Sequence, residues 1–258
     1  MSAFASAAPY YARYRPAYPS EVFELLVNRF GLDRTQTALD LGCGTGAVAI
    51  PLAPLVGSVI AVDPEPAMLA EAQRAAHQHV TQGIQWRLGN SANLGELNLP
   101  PIHLCTMGKS FHWMNQSQVL ADLDGVITSH GGVVLLSGAH TADRPAWLTV
   151  IDEVATSHLG PDYRRRHGPA RHPAEEREST LARSPFSHVE TTVVPQHFHR
   201  TLDELVGLQF SFSYSSPHVL STKKTRFEQD LRAALLDFDP AGIYRNTVHI
   251  ECTVATRP

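Results

Sequence analysis

The sequence predicts an α/β protein with a doubly wound, mainly parallel sheet. Short apolar strands alternate with amphipathic helices from about residue 37 to about residue 137, and this alternation is typical of parallel sheets covered by helices on both faces. The first strand runs directly into a glycine-rich turn, as the first strand of a ligand-binding sheet of this class does. These two observations set the expected fold class.

The first elements form one βαβ unit preceded by a helix. Between residues 20 and 30 apolar residues recur at helical spacing, with Ser20 placed to cap the start of this helix and Gly31 to end it. The run TALDLGCG then predicts a strand that enters glycines, followed by a helix from about 45 to 55. The second strand, SVIAVD, ends at Asp63.

The alternation continues to a fifth strand and then changes. A helix at about 65–79, the strands IQWRL and HLCTM, a helix at about 116–128 and the strand VVLLS complete it. The segment 160–184 is polar, rich in proline and glycine and without periodicity, which predicts a long surface loop or lid. HVETTVVPQHF and NTVHIECTV are predicted strands because of their β-branched content, with a helical insertion at about 201–238 between them.

Composition and charge disfavour several classes of partner. The 258 residues carry a formal net charge of -4, so no electrostatic drive favours nucleic acid or anionic lipid. Three cysteines without a C-x-x-C pair fit a reducing compartment. The N-terminus lacks the pattern of a secretory signal, and no run approaches about 18 apolar residues. We therefore expect a cytoplasmic protein without nucleic-acid or membrane partners, and the sequence leaves its oligomeric state open.

The strongest signal is the glycine turn that follows the first strand. Gly42, Gly44 and Gly46 allow the backbone to turn sharply and to approach a ligand, and the N-terminus of the next helix offers N–H groups. Asp63, 21 residues after Gly42, is placed to accept hydrogen bonds from both hydroxyls of a ribose. The pattern predicts a site for a ribose-bearing cofactor.

A dinucleotide site is the alternative, because Gly42, Gly44 and Ala47 also fit the pattern G-x-G-x-x-G/A. Two features argue against it. The third glycine is Gly46, and Asp40 lies two residues before the first glycine, where a dinucleotide-binding strand usually carries an apolar residue. A carboxylate there suits the ammonium group of an amino acid and is poorly placed beside a pyrophosphate.

The run LDLGCGTG, together with the acid that ends the next strand, resembles the first two motifs of the class I S-adenosylmethionine-dependent methyltransferases. The resemblance covers about residues 10–137, and VDPEPAMLAEAQ matches the family's helix after the acid. It implies S-adenosyl-L-methionine as cofactor and S-adenosyl-L-homocysteine as product, with Pro64 and Met68 against the adenine. The implied cofactor-binding residues of this core are Asp40, Gly42, Cys43, Gly44, Asp63, Pro64, Met68 and Met107.

A third signature of that family usually reads like G-D-A-E, and its acid contacts the adenine amino group. The corresponding run is GNSA, so Asn90 replaces the acid. Its side-chain carbonyl can still accept a hydrogen bond from an amino group. The resemblance therefore adds Asn90, Ser91 and Ala92 to the expected cofactor site.

The segment after HLCTM should face the reacting methyl group, because ligands of open α/β sheets bind at the carboxyl ends of strands. It reads GKSFHW and resembles a run in a small-molecule subgroup that includes trans-aconitate methyltransferase-like proteins. The resemblance makes His112 the candidate catalytic residue, as a general base or an acceptor-orienting group, and Trp113 a wall of the pocket. A packing or capping histidine and a core tryptophan are the alternatives.

The N-terminal run YYARYRPAYP also resembles that subgroup, in which such a stretch folds over the cofactor. Arg15 is the first candidate for binding the methionine carboxylate, because a guanidinium can bind both oxygens, and Tyr11 is the second candidate in the run. The alternative is a surface arm whose aromatic residues pack on the edge of the sheet.

Other polar clusters carry less weight. His197 and His199 share one face of a strand, but no carboxylate cluster completes a site, so we expect no metal. The basic run 164–167, with Arg171 and His172, is followed at once by glutamates and reads as a solvated loop. The run FSFSYSS offers aromatic residues to an acceptor pocket or to the core, namely Phe210, Phe212 and Tyr214.

The resemblance implies a Rossmann-like methyltransferase fold of seven strands in the order 3-2-1-4-5-7-6, with the seventh antiparallel. We expect methyl transfer to oxygen, nitrogen or carbon of a small molecule, with specialised metabolism as one setting. The alternatives are a non-methylating cyclase or regulatory module, a nicotinamide-dependent oxidoreductase, and a methyltransferase acting on RNA or protein. The expected organisation is one domain over 1–258, with an N-terminal lid and helix at 1–34, a cofactor-binding core at 35–138, and helical cap insertions at 139–184 and 200–245.

Overall fold

The fold is a seven-stranded sheet with helices, seen in a computed structural model that describes residues 2–138, 144–167 and 174–258. The strands are β1 (Thr37–Leu41), β2 (Ser58–Asp63), β3 (Ile84–Leu88), β4 (Ile102–Gly108), β5 (Ile127–Gly138), β6 (His188–Thr201) and β7 (Ile243–Thr256). The helices are α1 (Ala3–Tyr14), α2 (Ser20–Phe30), α3 (Ala49–Leu52), α4 (Pro66–Gln78), α5 (Gln116–Asp124), α6 (Trp147–Leu159), α7 (Tyr163–His167), α8 (Ala174–Ala182), α9 (Leu202–Phe210), α10 (Pro217–Leu220) and α11 (Lys224–Phe238).

The strand order is β3-β2-β1-β4-β5-β7-β6, which confirms the predicted topology. β1 pairs in parallel with both β2 and β4, so it lies at the point where the strand order reverses. β4 pairs in parallel with β5, and β5 pairs with β7 in the antiparallel direction. In sheets of this kind the crevice at the reversal point receives the ligand.

The chain forms two compact units, apart from the residues that lie outside the described ranges. The sheet unit comprises residues 17–139, 170–194 and 250–258. The helical unit comprises residues 1–16, 140–169 and 195–249. The division into one domain with cap insertions stays a prediction.

Each unit has its own apolar core. In the sheet unit, side chains of the central strands pack against α5 and α8, and in the helical unit α6, α9 and α11 pack together. Removing these side chains from water contributes about 1.5 to 3 kcal/mol for each large apolar residue. No helix in the described part of the chain is long and apolar enough to cross a bilayer.

Several elements differ from their predicted bounds. The predicted helix 45–55 is only α3, because Gly46 has a φ of 83° and the α-helix gives way after Leu52 to a 3-10 turn that contains Pro54. α5 ends at Asp124 rather than near 128, since the β-branched residues that follow join β5. α2 has the predicted bounds, but Pro19 rather than Ser20 occupies its N-cap.

Two regions contain helices that the local sequence pattern did not predict. Residues 3–14 form α1 although Pro9 lies within it, with Ser2 accepting a hydrogen bond from Ala5 N at 2.9 Å as a cap. The expected loop 160–184 contains α7 and α8, and its residues 168–173 lie outside the described ranges. The prediction of a long surface loop was wrong for 174–182, because α8 is held by apolar packing and by Arg177.

Candidate functional site

The glycine turn between β1 and α3 is held tightly by its neighbours. Gly42, Gly44 and Gly46 have φ of 73°, 53° and 83°, in the left-handed region that only glycine adopts without strain. The Gly42 N–H donates to Val62 O at 2.8 Å. A Cβ on Gly42 would lie 2.5 Å from the Cβ of Ser110. Conformation and space therefore both require glycine at the start of the turn.

The backbone of Gly44 has open space beside its Cα, and its N–H is held by the carboxylate of Asp63. A Cβ on Gly44 would meet no described atom within 4 Å, so a ligand can approach the chain there. The Asp63 carboxylate accepts from Gly44 N at 2.8 Å and from Glu65 N at 2.9 Å. Burial raises the pKa of Asp63. Its two oxygens fix the turn and retain lone pairs for a further donor.

Asp40 connects three elements beneath the turn. One oxygen accepts from Ala49 N, at the start of α3, at 3.1 Å, and the other accepts from the Thr106 hydroxyl of β4 at 2.9 Å. The side chain is almost completely buried, and this burial raises the pKa of Asp40 to about 7. Its predicted contact with an ammonium group stays a prediction.

The GNSA run lies just after β3 and begins a 3-10 turn over Ser91–Leu97. The Asn90 side-chain carbonyl accepts from Ala92 N at 2.8 Å, and the Asn93 side chain accepts from Asn90 N at 3.0 Å. Asn90 is therefore a favourable N-cap residue of this turn, as an aspartate would also be. Asn90 keeps a second lone pair for the proposed adenine contact.

The remaining core residues of the predicted cofactor site differ in exposure. Pro64 is exposed after β2, and Met68 is buried within α4. The Met107 side chain packs in the core of the sheet unit, so only its backbone can face a ligand. Cys43 is buried, and burial raises the pKa of its thiol well above the usual range, which keeps it protonated and unreactive.

The segment after β4 returns to the turn. The Ser110 hydroxyl donates to Leu41 O at 2.7 Å, which ties this segment to the end of β1. His112 lies in a 3-10 turn over Phe111–Trp113 and is partly buried, with its ring centroid 5.6 Å from that of Trp113. Trp113 is 45% exposed, so core packing was the wrong alternative for it. A role for His112 in catalysis stays a prediction.

The two N-terminal candidates belong to the helical unit. Arg15 donates from Nε to the Ser211 hydroxyl at 2.9 Å, and its guanidinium lies 4.8 Å from the Tyr11 ring centroid and 4.1 Å from that of Phe212. Tyr14 covers Gly207 of α9, where an added Cβ would lie 2.4 Å from the ring. Tyr14 of α1 thus packs on α9 within the helical unit, and the predicted contacts of Arg15 and Tyr11 with the cofactor stay predictions.

The other polar and aromatic signals resolve into local contacts. His197 is exposed and its Nδ1 lies 2.9 Å from the Thr247 hydroxyl. Within the described residues no group of three or more histidine, cysteine, aspartate or glutamate side chains could hold a metal ion. Phe210 is buried in the core of the helical unit, whereas Phe212 and Tyr214 are partly buried and stack with centroids 5.0 Å apart.

The basic run of 164–167 lies in α7, where Arg164 pairs with Asp152. Arg171 and His172 lie outside the described residues. The sequence reasoning missed Arg177, which pairs with Glu251 of β7 and donates to the Ser137 hydroxyl of β5 at 3.1 Å. The signal in the sequence is that Arg177 lies four residues before Leu181, one helical turn away.

A family model and several relatives that this chain resembles are described as methyltransferases. Residues 38–131 match a family model described as a methyltransferase domain. The uncharacterized methyltransferase Rv3342 of Mycobacterium tuberculosis is 25% identical over 257 residues, which cover 98% of this chain and 96% of that protein. The probable S-adenosylmethionine-dependent methyltransferase CRG1 of Saccharomyces cerevisiae is 23% identical over 123 residues, which cover 47% of this chain and only 42% of that protein.

A solved structure shares the fold over nearly the whole chain. A candidate type II methyltransferase from Anaeromyxobacter dehalogenans has a TM-score of 0.63 and 21% sequence identity, with 95% of this chain and 98% of that chain covered. The domain match over residues 38–131, the relatives and the shared Rossmann-like fold indicate an S-adenosylmethionine-dependent methyltransferase. These matches disfavour the nicotinamide-dependent alternative.

Proposed function

We propose that the protein transfers a methyl group from S-adenosyl-L-methionine to oxygen, nitrogen or carbon of a small-molecule acceptor. The observation that carries the proposal is the glycine turn, which exposes the backbone of Gly44 while Asp63 holds it at the carboxyl ends of β1 and β2. We place the enzyme in the cytoplasm and in specialised metabolism, within the small-molecule subgroup that it resembles.

The residues of the sheet unit fit this cofactor. Asp63 retains lone pairs for the ribose hydroxyls, and Asp40 is the nearby acid for the ammonium group. We assign the adenine to Pro64, Met68 and the run 90–92, and the turn itself to Gly42, Cys43 and Gly44. Arg15 and Tyr11 of the helical unit are assigned to the methionine end in the same proposal.

For methyl transfer, the main tasks of the protein are to position the acceptor and to exclude water. The bound cofactor supplies an electrophilic methyl group on a sulfonium, and the S–CH3 bond breaks as the bond from methyl to acceptor forms. Positioning in line and exclusion of water supply most of the rate. Where the acceptor is a hydroxyl or a protonated amine, His112 takes the proton that the acceptor loses.

A small molecule is favoured over a nucleic acid by the charge of the chain. The net charge of -4 provides no drive toward a polyanion. The relative Rv3342, which matches over almost its whole length, is named only as a methyltransferase, so its name adds nothing about the acceptor. No nucleic-acid or membrane partner is included in the proposal.

Calorimetric titration with S-adenosylmethionine, S-adenosylhomocysteine and NAD tests the cofactor assignment first. We expect both adenosyl ligands to bind and NAD not to bind. Binding of NAD alone would overturn the proposal.

Formation of S-adenosylhomocysteine should then be measured with two fractions of a cell extract. Turnover with the small-molecule fraction is the expected result. Turnover only with the macromolecular fraction, abolished by nuclease or protease, would make the acceptor an RNA or a protein. Binding without turnover in either fraction would indicate a non-methylating cyclase or regulatory module.

A further inference from the structure

Lys109, the first residue after β4, has a backbone conformation that does not suit a lysine. Its φ is 53°, in the left-handed region, which costs a residue with a side chain about 1 kcal/mol. The segment is pinned on both sides, because Lys109 N donates to Leu136 O of β5 at 2.8 Å and the Ser110 hydroxyl donates to Leu41 O of β1. Strain of this kind is concentrated at ligand sites, where a side chain must be held in one direction.

The neighbours of Lys109 in sequence contact both ends of the glycine turn. Ser110 packs against Gly42, where the turn begins. Gly108 packs against Val48, where it ends, because a Cβ on Gly108 would lie 2.9 Å from a Val48 methyl group. The backbone of Lys109 is therefore fixed beside the turn, at the point of the sheet where the strand order reverses.

Tyr18 defines where the side chain of Lys109 lies. The Lys109 Nζ is 5.7 Å from the centroid of the Tyr18 ring, within the range of a cation–π contact. The Tyr18 hydroxyl lies 3.0 Å from the position that a Cβ on Gly108 would occupy, so the ring is itself packed against the end of β4. The ammonium is thus held on an aromatic face at the carboxyl edge of the sheet.

The acids beside the turn suit other parts of the cofactor. Asp40 and Asp63 suit the ammonium and the ribose of S-adenosylmethionine, but the carboxylate of its methionine moiety needs a cation. Arg15, which the proposed function assigns to the methionine end, also donates to Ser211. Lys109 offers a second cation, and its backbone is fixed beside the turn.

We infer that Lys109 binds the methionine carboxylate of the cofactor, with Tyr18 orienting its ammonium. The inference rests on the proposed function, because it assumes that the cofactor occupies the glycine turn. It also explains why a strained lysine occupies a position where glycine or asparagine would adopt the same backbone at lower cost.

Two ligands that differ at one end of the molecule test the inference by calorimetry. S-adenosylhomocysteine carries the carboxylate, whereas 5′-methylthioadenosine shares the adenosine and the sulfur but lacks the amino-acid group. Lys109→Met should weaken S-adenosylhomocysteine binding by about 10- to 100-fold, the range for a lost charge-assisted hydrogen bond, and change methylthioadenosine binding less than about twofold. Lys109→Arg should restore most of the affinity.

Two further variants separate loss of the charge from damage to the fold. Lys109→Gly relieves the backbone strain, so its unfolding midpoint should be at or above that of Lys109→Met while the loss of S-adenosylhomocysteine affinity is the same. Lys223→Met removes an exposed lysine of the helical unit and should leave both affinities unchanged.

Each other outcome has a definite meaning. Unchanged S-adenosylhomocysteine affinity in Lys109→Met, with or without a raised acceptor KM, would overturn the inference while leaving the proposed function intact. Equal weakening of both ligands would also overturn it, because the effect would then be on the whole site. If the wild-type protein bound neither ligand, the proposed function itself would fail.

Discussion

Gly44 and Gly31, both in the sheet unit, have the same left-handed backbone conformation. Their φ values are 53° and 58°, and at both positions an added Cβ would have no described atom within 4 Å. Alanine therefore costs about 1 kcal/mol of strain at either position. Only Gly44 lies in the turn where we place the cofactor, whereas Gly31 ends α2.

The two glycines thus form a matched pair for a test of the cofactor site. Gly44→Ala and Gly31→Ala should lower the unfolding midpoint by similar amounts, about 2 to 4 °C. Gly44→Ala should weaken S-adenosylhomocysteine binding by about tenfold or more, since its Cβ enters the space left for the ligand and 1.4 kcal/mol corresponds to a factor of ten. Gly31→Ala should bind normally in the same titration. Equal affinities in the two variants would place the ligand elsewhere.

The proposed role of His112 is to accept a proton from the methyl acceptor. If it accepts the acceptor's proton, His112→Ala should lower the rate of S-adenosylhomocysteine formation by about 100-fold and leave S-adenosylhomocysteine affinity within about twofold. The rate is measured with the small-molecule fraction that supports turnover. His130→Ala, an exposed histidine of β5, is the control and should turn over normally. A fully active His112→Ala would return this residue to a packing or capping role.

At the scale of elements, apolar periodicity predicted α2 and α4 because each of these helices buries one apolar face. α1 was missed because Pro9 normally ends a helix, and its packing on α9 overrides that preference. α8 was missed because its sequence is polar, yet Leu181 and Arg177 tie it to the sheet unit. The local sequence pattern cannot predict contacts with residues that are distant in the sequence.

The candidate site divides in the same way. The glycines, Asp40 and Asp63 were found from their spacing along one βαβ unit. The bond from Gly44 N to Asp63 and the strained backbone of Lys109 were not, since both depend on strands that pair in three dimensions. Composition and spacing place ligand-binding residues near one another, whereas their hydrogen-bond partners follow only from the folded chain.

At the scale of the whole molecule, the buried carboxyl of Asp40 makes stability depend on pH. Its pKa rises from 3.8 to about 7 on folding. Between about pH 4 and pH 7 the folded state therefore holds a proton that the unfolded state has released, so this group's contribution to the free energy of unfolding falls as the pH rises. A shift of this size corresponds to at most about 4 kcal/mol.

Asp40→Asn should flatten that decline, because asparagine can accept from Ala49 N and donate to the Thr106 hydroxyl without carrying charge. Urea unfolding of both proteins at several pH values between 4 and 7.5 measures the difference. Asp33→Asn is the control, since hydrogen bonds from Thr35 hold the pKa of this exposed carboxyl below its usual value. Parallel curves for the wild type and Asp40→Asn would mean that Asp40 is already ionised in the folded protein over this range.

The position of β7 between β5 and β6 also affects how the chain folds during synthesis. Translation delivers β5 and β6 before the strand that joins them, so each leaves the ribosome with a row of unpaired N–H and C=O groups. At about 5 to 20 residues per second, the stretch from Thr201 to Thr256 takes several seconds to synthesise. Until β7 arrives, the open edges of β5 and β6 can form β-pairs with other nascent chains.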